Sequence, residues 1–482
     1  MAILIELLII SISTLALLLL ISLYRSHKSK DRHDVPEAKG GWPILGHLPL
    51  FFGKELMHVK LGSMANKYGP IFAIRLGSHR QIVVSSWEVA KEFYTVHDKV
   101  FADRPMISAT KLMTYNGAMF AFAPYGEYWR EMRKIATIGL LSSHRLDSLK
   151  HIRAFEVETA IKDLFKAWIE KGRPRSGVPV EMNHRVVGCN PGAAIPGLGW
   201  MDLGGHKRSM SETAKELDVF AQGWLEEHRK KRSSSPGGDG EQDFMDLMLD
   251  VIEGVKFSDF DADTVIKATC LNMIVAATDT LIVSITWALS LLVNNRRILE
   301  KAQQELDTHV GKSRHVEESD VKNLTYLQAI IKETMRLYPP APIINLRNSM
   351  EECTFSTGFR IPTGTRLLLN YWKIQRDERV WPNPNKFEPE RFLTTHENVD
   401  VRGQNFELIP FGAGRRSCAG TSLALHTMHL TLASLLQSFE INTVSDEPVD
   451  MTESPGLTNL KASPLEVLLV PRLDQKVYEI DE

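Results

Sequence analysis

A nearly unbroken apolar run, "ADTVIKATCLNMIVAATDTLIVSITWALSLLVN" at 262–294, constrains the fold more than any other stretch of the sequence. It is apolar on all sides of a helix, which is typical of a helix buried in a large core or of a membrane span. Asp279 and several threonines lie inside the run, and dense polar sequence flanks it. We therefore favour a buried core helix, with Asp261 and Asp263 as candidate N-caps.

The composition excludes several classes of protein. With 43% apolar residues, 24% charged residues and a net charge of −2, the 482-residue chain is of an ordinary globular type with no bias toward nucleic-acid binding. We predict that its basic run "HRKKRSS" at 228–234 is a solvated loop. The cysteines are too widely spaced for a disulfide framework or a cysteine-cluster zinc site. This favours reduced thiols facing the cytosol, with one ligand or nucleophile allowed among Cys189, Cys270, Cys353 and Cys418.

The first 24 residues, "MAILIELLIISISTLALLLLISLY", are long and apolar enough to cross a hydrocarbon core of about 30 Å as a helix. The segment "RSHKSKDRH" that follows is rich in Arg and Lys, which predicts that this flank is cytoplasmic. A cleaved signal peptide would need a shorter apolar core and a clear small-residue cleavage site. We expect a transmembrane anchor at 1–24, a basic and Pro/Gly-rich linker at 25–47, and one large domain at 48–482.

Helical patterns dominate that domain. The segment "VKNLTYLQAIIKETMRLYPPAP" at 321–342 predicts a helix that its two prolines end. Residues 354–372 alternate as in a β-hairpin, and "SPLEVLLVPRL" near the carboxyl end predicts a short strand. The sequence therefore predicts a mainly α fold with small β-sheets.

Glu333 and Arg336 are three residues apart on the helix predicted at 321–342 and therefore share a face. Most such pairs are surface salt bridges worth a few tenths of a kcal/mol, and the spacing alone is a weak signal. Arg391, in "PERF", supplies a further guanidinium. A buried glutamate held between two arginines would be a structural lock rather than a reactive site.

The middle of the apolar run, "AATDTL", places Asp279 and Thr280 beside the small Ala276 and Ala277. Small residues leave a shallow groove on a helix, and an acid with a hydroxyl beside it can move protons there. A carboxylate this deep in a core is costly unless it has a partner or a task. The alternative is structural: the threonine bonds back to the carbonyl four residues earlier, and the aspartate pairs with a distant base.

Trp129 and Arg133, in "YWREMRK", are four residues apart and lie on one face of a predicted helix. An indole N–H and a guanidinium fork aimed together suit an anionic, planar ligand. An amphipathic helix with an ordinary charged face explains the pair equally well when it is considered alone.

The segment "PFGAGRRSCAG" at 410–420 surrounds Cys418 with two arginines and several glycines. A thiol is a good metal ligand as the thiolate, and nearby arginines and free backbone N–H groups lower its pKa. Glycines let the backbone approach the sulfur and leave room for a large flat ligand. A buried structural cysteine would not need this surrounding.

With those residues, the segment resembles the cysteine-ligand loop of the cytochrome P-450 haem-thiolate monooxygenases, F-x-x-G-x-R-x-C-x-G. The match runs through Phe411, Gly414, Arg416, Cys418 and Gly420. The three pairs described above fall in the order of that family's motifs, over nearly the whole chain. The resemblance implies a large cytochrome P-450-type helical domain with small β-sheets, an N-terminal transmembrane helix and haem b as the cofactor.

The resemblance also implies a role for each matched residue. Cys418 would be the axial ligand of the haem iron, within a loop formed by Phe411, Gly414 and Gly420. Asp279 and Thr280 would be the acid–alcohol pair that activates oxygen. The remaining residues divide between two tasks: the haem propionates would be bound by Trp129, Arg133, Arg347 and Arg416, and the structural E-x-x-R lock would be formed by Glu333, Arg336 and Arg391.

Within the family, the carboxyl-terminal third looks like the plant membrane-bound group that holds nicotine N-demethylases, flavone and furanocoumarin hydroxylases and benzylisoquinoline alkaloid oxidases. Three residues depart from the usual pattern without removing a ligand: Ala277, Leu281 and Ala419. A larger departure is at 183–210, where the chain looks short by roughly thirty to forty residues, beyond ordinary loop variation. We expect a helical segment of the family to be missing near 183–200.

The resemblance implies an NADPH- and O₂-dependent monooxygenase of the endoplasmic reticulum membrane, single-pass, with its domain in the cytosol. Electrons would come from NADPH–cytochrome P-450 reductase, with Arg130, Lys134 and Arg415 as a basic surface for it. The substrate would be a hydrophobic plant metabolite such as a flavonoid, coumarin, alkaloid or terpenoid, hydroxylated or oxidatively demethylated. Two alternatives stay open: an O₂-independent isomerase or dehydratase of the same fold, and a haem-binding membrane protein impaired by the short 183–210 region.

Overall fold

The structure is a computed structural model that describes residues 34–478 apart from 54, 78, 175–176, 183–205, 235–242, 253–254, 256 and 446, together with residues 6, 13–14 and 16–17. The predicted anchor at 1–24 falls almost wholly outside the described residues. So do the first part of the predicted linker and the segment at 183–200 in which a helix was expected to be missing.

Helices form most of the described fold. In chain order they are α1 (Met57–Tyr68), α2 (Trp87–Thr95), α3 (Ser108–Met113), α4 (Glu127–Lys134), α5 (Ser143–Ser148), α6 (Lys150–Glu170), α7 (His206–Ser234), α8 (Phe244–Ile252), α9 (Ala262–Val293), α10 (Arg296–His309), α11 (Thr325–Leu337), α12 (Tyr371–Ile374), α13 (Thr421–Ser438) and α14 (Gln475–Tyr478). A π-helical turn, Ile135–Leu140, extends α4. Short 3₁₀ turns lie at Leu48–Phe51, Tyr115–Gly117, Glu318–Asn323 and Pro389–Leu393.

The long helix α9 occupies the apolar run, as the sequence predicts. Of the two candidate caps, Asp261 is the N-cap, since its carboxylate accepts the N–H of Thr264 at 2.9 Å. Asp263 instead binds the Arg229 guanidinium of α7. Among the described residues α9 is long and apolar enough to span a membrane by length and composition, which is weak evidence. Its last three turns lie in the main core, where Trp287 is fully buried.

The strands form three small sheets. The largest has the order β1 (Ile71–Leu76), β2 (His79–Val84), β7 (Arg366–Asn370) and β4 (Ile343–Asn348). A second sheet has the order β3 (Val178–Met182), β9 (Leu465–Pro471) and β8 (Phe439–Thr443), and the third pairs β5 (Cys353–Thr354) with β6 (Arg360–Ile361).

The predicted β-hairpin at 354–372 is wrong in part. Its first half is the short pair β5–β6, but β7 leaves the hairpin and pairs in parallel with β2 and antiparallel with β4. This pairing joins residues almost three hundred positions apart, so no local pattern could predict it. The strand predicted in "SPLEVLLVPRL" is β9, and the helix predicted at 321–342 is α11 with a 3₁₀ turn before it.

The basic run at 228–234 is helical, not the solvated loop that we predicted. The helix α7 continues to Ser234 because its arginines find acidic partners on neighbouring elements. Arg229 binds Asp263 at the start of α9, and Arg232 binds Asp250 of α8. These ion pairs hold the end of α7 against the two following helices.

Candidate active site

The cysteine loop, residues 409–420, is a tight turn ahead of α13. The N–H of Cys418 donates to the carbonyl oxygen of Phe411 at 2.9 Å, and the N–H of Ser417 donates to that of Gly414 at 3.1 Å. The chain can close this turn because Gly412 and Gly414 have φ values of +70° and +67°, a region that favours glycine. The loop therefore places the thiol at the start of α13.

The Cys418 thiol is exposed on the loop, yet the protein around it is dense enough for burial to raise its pKa. The N–H of Gly420, the charge of Arg133 and the side chain of Thr421 lower the pKa by smaller amounts. Arginine and backbone N–H groups therefore lower the pKa of Cys418, as the sequence predicts, but burial raises that pKa by more. A bound metal ion would overcome the effect of burial, because a thiol that coordinates a metal is deprotonated outright.

Three arginines from distant parts of the chain, Arg104, Arg347 and Arg416, gather near this loop, and none of them forms a salt bridge with a carboxylate of the described residues. Burial lowers the pKa of Arg416, and the charges of Arg104 and Arg347 lower it further. Burial and the charge of Arg347 likewise lower the pKa of Arg104. Such a cluster stores electrostatic repulsion that an anionic ligand would relieve.

Each of these guanidinium groups also has one buried N–H donor without a hydrogen-bond partner among the described residues. Arg416 donates to the carbonyl oxygens of Ala102 and Ala123, and Arg347 donates to that of Phe101 at 3.4 Å. Buried nitrogens of the three groups have no hydrogen-bond partner among the described residues: Nε of Arg104, Nε of Arg347 and Nη1 of Arg416. Buried donors are nearly always satisfied, so the cluster fits a ligand that carries carboxylates.

Arg104 is a member of this cluster that the sequence analysis missed. It lies in "FADRP" at 101–105, a short segment between two helices with one basic residue and no spacing rule to mark it. The available signal was an arginine held between Asp103 and Pro105, which is a weak one. Only the fold brings it beside Arg347 and Arg416.

The helix α4 is fastened to the cysteine loop through the predicted pair. Arg133 donates to the carbonyl oxygen of Ser417 at 2.7 Å and to its hydroxyl at 3.3 Å. Trp129 is buried, and the Arg416 guanidinium lies 4.6 Å from the centre of its ring. The structure thus brings both residues to the loop, and it gives Arg133 a contact next to Cys418 that the sequence did not predict.

On α9, the hydroxyl of Thr280 donates to the carbonyl oxygen of Ala276 at 2.7 Å. This is the structural bond that the sequence analysis kept as an alternative, but it uses the one proton of the hydroxyl and leaves its lone pairs as acceptors. Asp279 beside it is half-buried, while Ile274 and Val275 are about half exposed. This turn of α9 does not pack against other described residues, whereas the carboxyl-terminal part of the helix is buried as predicted.

Glu333, Arg336 and Arg391 form a buried lock and not a surface salt bridge. Arg336 donates through Nε to Glu333 Oε2 at 2.7 Å, and Arg391 donates through Nε to Glu333 Oε1 at 3.1 Å. The side chains of Glu333 and Arg336 are fully buried. Gln375 extends the lock to the cysteine loop, since it donates to the carbonyl oxygen of Met335 and accepts the N–H of Ile409.

Arg415 is exposed, like Arg130 and Lys134, and it also binds Asp98. Its backbone N–H donates to both carboxylate oxygens, and its guanidinium lies 3.4 Å from Asp98 Oδ2. All three residues of the expected basic surface are therefore exposed, and the Arg415 charge is partly neutralised.

Comparisons with known proteins agree with this geometry. The family model "Cytochrome P450" matches residues 36–187 and 181–469. "Strychnine-10-hydroxylase" of Strychnos nux-vomica is 48% identical, over 92% of each chain. "Xanthotoxin 5-hydroxylase CYP82C2" of Arabidopsis thaliana is 47% identical, over 95% of this chain and 97% of its own. A zebrafish cytochrome P450 structure with progesterone has a TM-score of 0.69 and 25% identity, and it covers 86% of this chain and 99% of its own.

The residues present fit the cofactor that the family carries. Cys418 supplies a soft sulfur ligand for iron, and the arginine cluster supplies buried donors without partners for two propionates. The glycines of the loop keep side chains away from its inner turn. By its sequence match, its fold and this donor set, the chain belongs to the cytochrome P450 family and is a haem-thiolate monooxygenase.

Proposed function

We propose that this monooxygenase inserts one oxygen atom into a hydrophobic plant specialised metabolite, by hydroxylation or oxidative demethylation. The observation that carries the proposal is the retention of Cys418 with its arginine cluster together with Asp279 and Thr280 on α9. Relatives at 47–48% identity are named for strychnine and xanthotoxin hydroxylation, which supports a polycyclic, mainly apolar substrate.

Haem, when bound, supplies the iron at which dioxygen is reduced and from which oxygen is transferred. In this proposal Cys418 holds the iron through Sγ, and the protein's N–H groups and Arg133 stabilise the thiolate. The guanidinium groups of Arg104, Arg347 and Arg416 hold the propionates by charge-assisted hydrogen bonds. The ring of Trp129 packs against the Arg416 guanidinium.

Thr280 and Asp279 of α9 would position and relay protons. The bond from Thr280 to the Ala276 carbonyl fixes the direction of the hydroxyl, so its lone pairs face away from the helix backbone and can accept a hydrogen bond. Asp279, the residue before Thr280, would be the acid of the pair. Positioned proton transfer of this kind is typically worth about 10²–10⁴-fold in rate.

Exposed apolar side chains on α9 and in the turn before β9 support a hydrophobic substrate. Ile274 and Val275 of α9 are 47% and 54% exposed, and Leu457 in the turn before β9 is 69% exposed. Large exposed apolar side chains are typical of binding surfaces.

An O₂-independent isomerase or dehydratase would have no use for an acid–alcohol pair, and this chain keeps both residues. Dependence of product formation on NADPH separates the two reactions. An impaired haem-binding protein is the other alternative, and it is tested by the spectrum described below.

We also propose that the apolar segment 1–24 anchors the chain in the endoplasmic reticulum membrane, with NADPH–cytochrome P450 reductase as its electron donor. The support is the length of the apolar segment and the basic residues that follow it. Arg130 and Lys134 on α4 are exposed and would contribute to a reductase surface.

The first experiment is to express the full chain with a plant reductase in microsomes and to record the carbon monoxide difference spectrum of the reduced protein. A thiolate-type Soret band is expected. A panel of furanocoumarins, flavonoids and alkaloids is then incubated with NADPH, and oxygenated products are identified by mass spectrometry. A chain that binds haem without the thiolate band, or that turns over nothing with NADPH, contradicts the proposal.

For Thr280→Ala we expect NADPH consumption to continue while product per NADPH falls, because the hydroxyl that would position proton delivery is lost. Thr308→Ala is a matched control: Thr308 makes the same bond to the carbonyl four residues earlier, but on the exposed face of helix α10. Unchanged coupling in Thr280→Ala would exclude the proton role.

A further inference from the structure

Asp98, three residues beyond the end of α2, lies against the cysteine loop and has no role in the site described so far. Its two carboxylate oxygens accept the backbone N–H of Arg415 at 3.1 and 3.0 Å. Its Oδ2 also lies 3.4 Å from Nε of Arg415. A carboxylate that binds both the backbone and the side chain of one residue fixes that residue in place.

The loop is shaped to admit this carboxylate. A Cβ atom on Gly414 would lie 2.3 Å from Oδ1 of Asp98, closer than any real contact allows. The φ of +67° at Gly414 also disfavours any other residue. Gly414 therefore serves the approach of Asp98 as well as the turn itself.

A second contact one helical turn earlier strengthens the first. Tyr94 of α2 shares a hydrogen bond between hydroxyls with Tyr371 of α12, and both rings are buried. A Cβ atom on Gly412 would lie 3.2 Å from the Tyr371 hydroxyl. The end of α2 thus meets the loop at Arg415 through Asp98 and at Gly412 through the Tyr94–Tyr371 hydrogen bond, both within six residues of Cys418.

The charge on Asp98 is only partly screened by water, since its side chain is 14% exposed. Burial raises the pKa of Asp98, while the Arg415 N–H and the charges of Arg347 and Arg415 oppose the rise. Charges in such a place act on their neighbours through a lower effective dielectric than surface charges do.

We propose that Asp98 is a positioning residue for the cysteine ligand. It holds the loop through Arg415, and together the two opposite charges set the electrostatic potential at the thiolate and at the iron that it binds. The inference rests on the haem-thiolate site and adds a residue and a function to it. Redox potentials of metal–thiolate centres depend on nearby charge and on hydrogen bonding around the sulfur.

The two partners should move the potential in opposite directions. Asp98→Asn keeps an oxygen for the Arg415 N–H but removes a negative charge, so reduction becomes easier and the ferric/ferrous potential rises. Arg415→Gln removes a positive charge and leaves Asp98 less neutralised, so the potential falls. A merely structural contact would not give shifts of opposite sign.

The test is spectroelectrochemical titration of the holoprotein for the wild type, Asp98→Asn, Arg415→Gln and a control. Glu352→Gln is the matched control, since Glu352 pairs with Arg360 on an exposed hairpin and both side chains are about half exposed. Its potential should equal that of the wild type. Shifts of the same sign, or no shift beyond that of the control, would overturn the inference.

The outcomes separate this inference from the proposed function. A wild type without a thiolate-type carbon monoxide spectrum refutes the function. A normal wild-type spectrum with unmoved potentials refutes only the role of Asp98. If Asp98→Asn fails to incorporate haem, Arg415→Gln still decides: a fall in potential supports the role, and an unchanged or raised potential contradicts it.

Discussion

Arg104 shows what a single buried charge can contribute to the cofactor site. Its guanidinium lies 5.8 Å from the centre of the Phe122 ring, the charge of Arg347 lowers its pKa, and its Nε has no hydrogen-bond partner among the described residues. An anionic ligand would satisfy that donor and relieve the repulsion at once.

We expect Arg104→Met to lose haem faster than the wild type, because one propionate partner is gone. Arg104→Lys should be intermediate, since a point charge lacks the planar fork of a guanidinium. The measurement is the rate of haem transfer to excess apomyoglobin. Arg297→Met, which removes an exposed arginine of α10, should behave as the wild type. Equal rates for Arg104→Met and Arg297→Met would remove Arg104 from the site.

Substitution of Glu333 tests how much the buried lock contributes to stability. In Glu333→Gln two buried guanidinium groups lose the charge that compensates them, and breaking a buried pair in this way costs about 3–5 kcal/mol. Glu212→Gln breaks an exposed pair with Arg208 and should cost at most about 1 kcal/mol. Denaturant unfolding of both variants measures the difference. A loss at Glu333 no larger than that at Glu212 would show that the lock is not a stability element.

At the scale of elements, the segment between α3 and α4 is hydrogen-bonded to α7, which in turn binds α9. Tyr115 donates to Oδ1 of Asp218 on α7 at 2.9 Å, and Lys267 of α9 donates to the same oxygen at 2.7 Å. Tyr115 and Asn116 both have positive φ, which is strained for residues other than glycine. Three elements therefore meet at one carboxylate.

We expect Asp218→Asn to loosen this segment, because the ionic bond to Lys267 is lost and the strained backbone is held less firmly. Hydrogen exchange followed by mass spectrometry should show faster exchange in peptides that cover 114–119. Glu216→Gln, two residues away on the same helix, is the control. Unchanged exchange in Asp218→Asn would mean that packing, not this carboxylate, holds the segment.

The elements also show what sequence reasoning can predict here. Local periodicity and spacing were sufficient for α9, α11 and the arrangement of Glu333 with Arg336, because these depend on neighbours within a few turns. They were insufficient for β7, whose partner β2 is far away in the chain, and for the helical end of α7, whose arginines depend on acids of α8 and α9. Arg104 and Asp98 were missed for the same reason, since their contacts are with residues hundreds of positions away.

At the scale of the whole molecule, the chain is shorter than its relatives inside the domain. The alignment with the xanthotoxin hydroxylase spans 506 positions although this chain has 482 residues and only 95% of them are covered. The family model matches in two pieces that meet at 181–187. These findings agree with a piece missing near 183–200, which stays a prediction because those residues lie outside the described ones.

Apolar surface on the described helices is consistent with such a loss. On α7, Val219 and Phe220 are 71% and 64% exposed, and Phe155 of α6 is 66% exposed. Apolar surface of this extent is normally covered by another element.

We expect that restoring the extra residues of the xanthotoxin hydroxylase between 182 and 206 raises both thermal stability and haem content. The restored residues would cover apolar side chains such as Phe220, and each large side chain buried contributes about 1.5–3 kcal/mol. An insertion of equal length made of Gly and Ser should lower stability slightly, since a longer loop costs entropy without burying surface. Thermal unfolding, haem-to-protein ratio and binding of a hydrophobic dye are measured for the three chains. If the relative's residues do no better than the Gly/Ser insertion, the exposed surface is not the footprint of a missing element, and the short chain is stable in its own right.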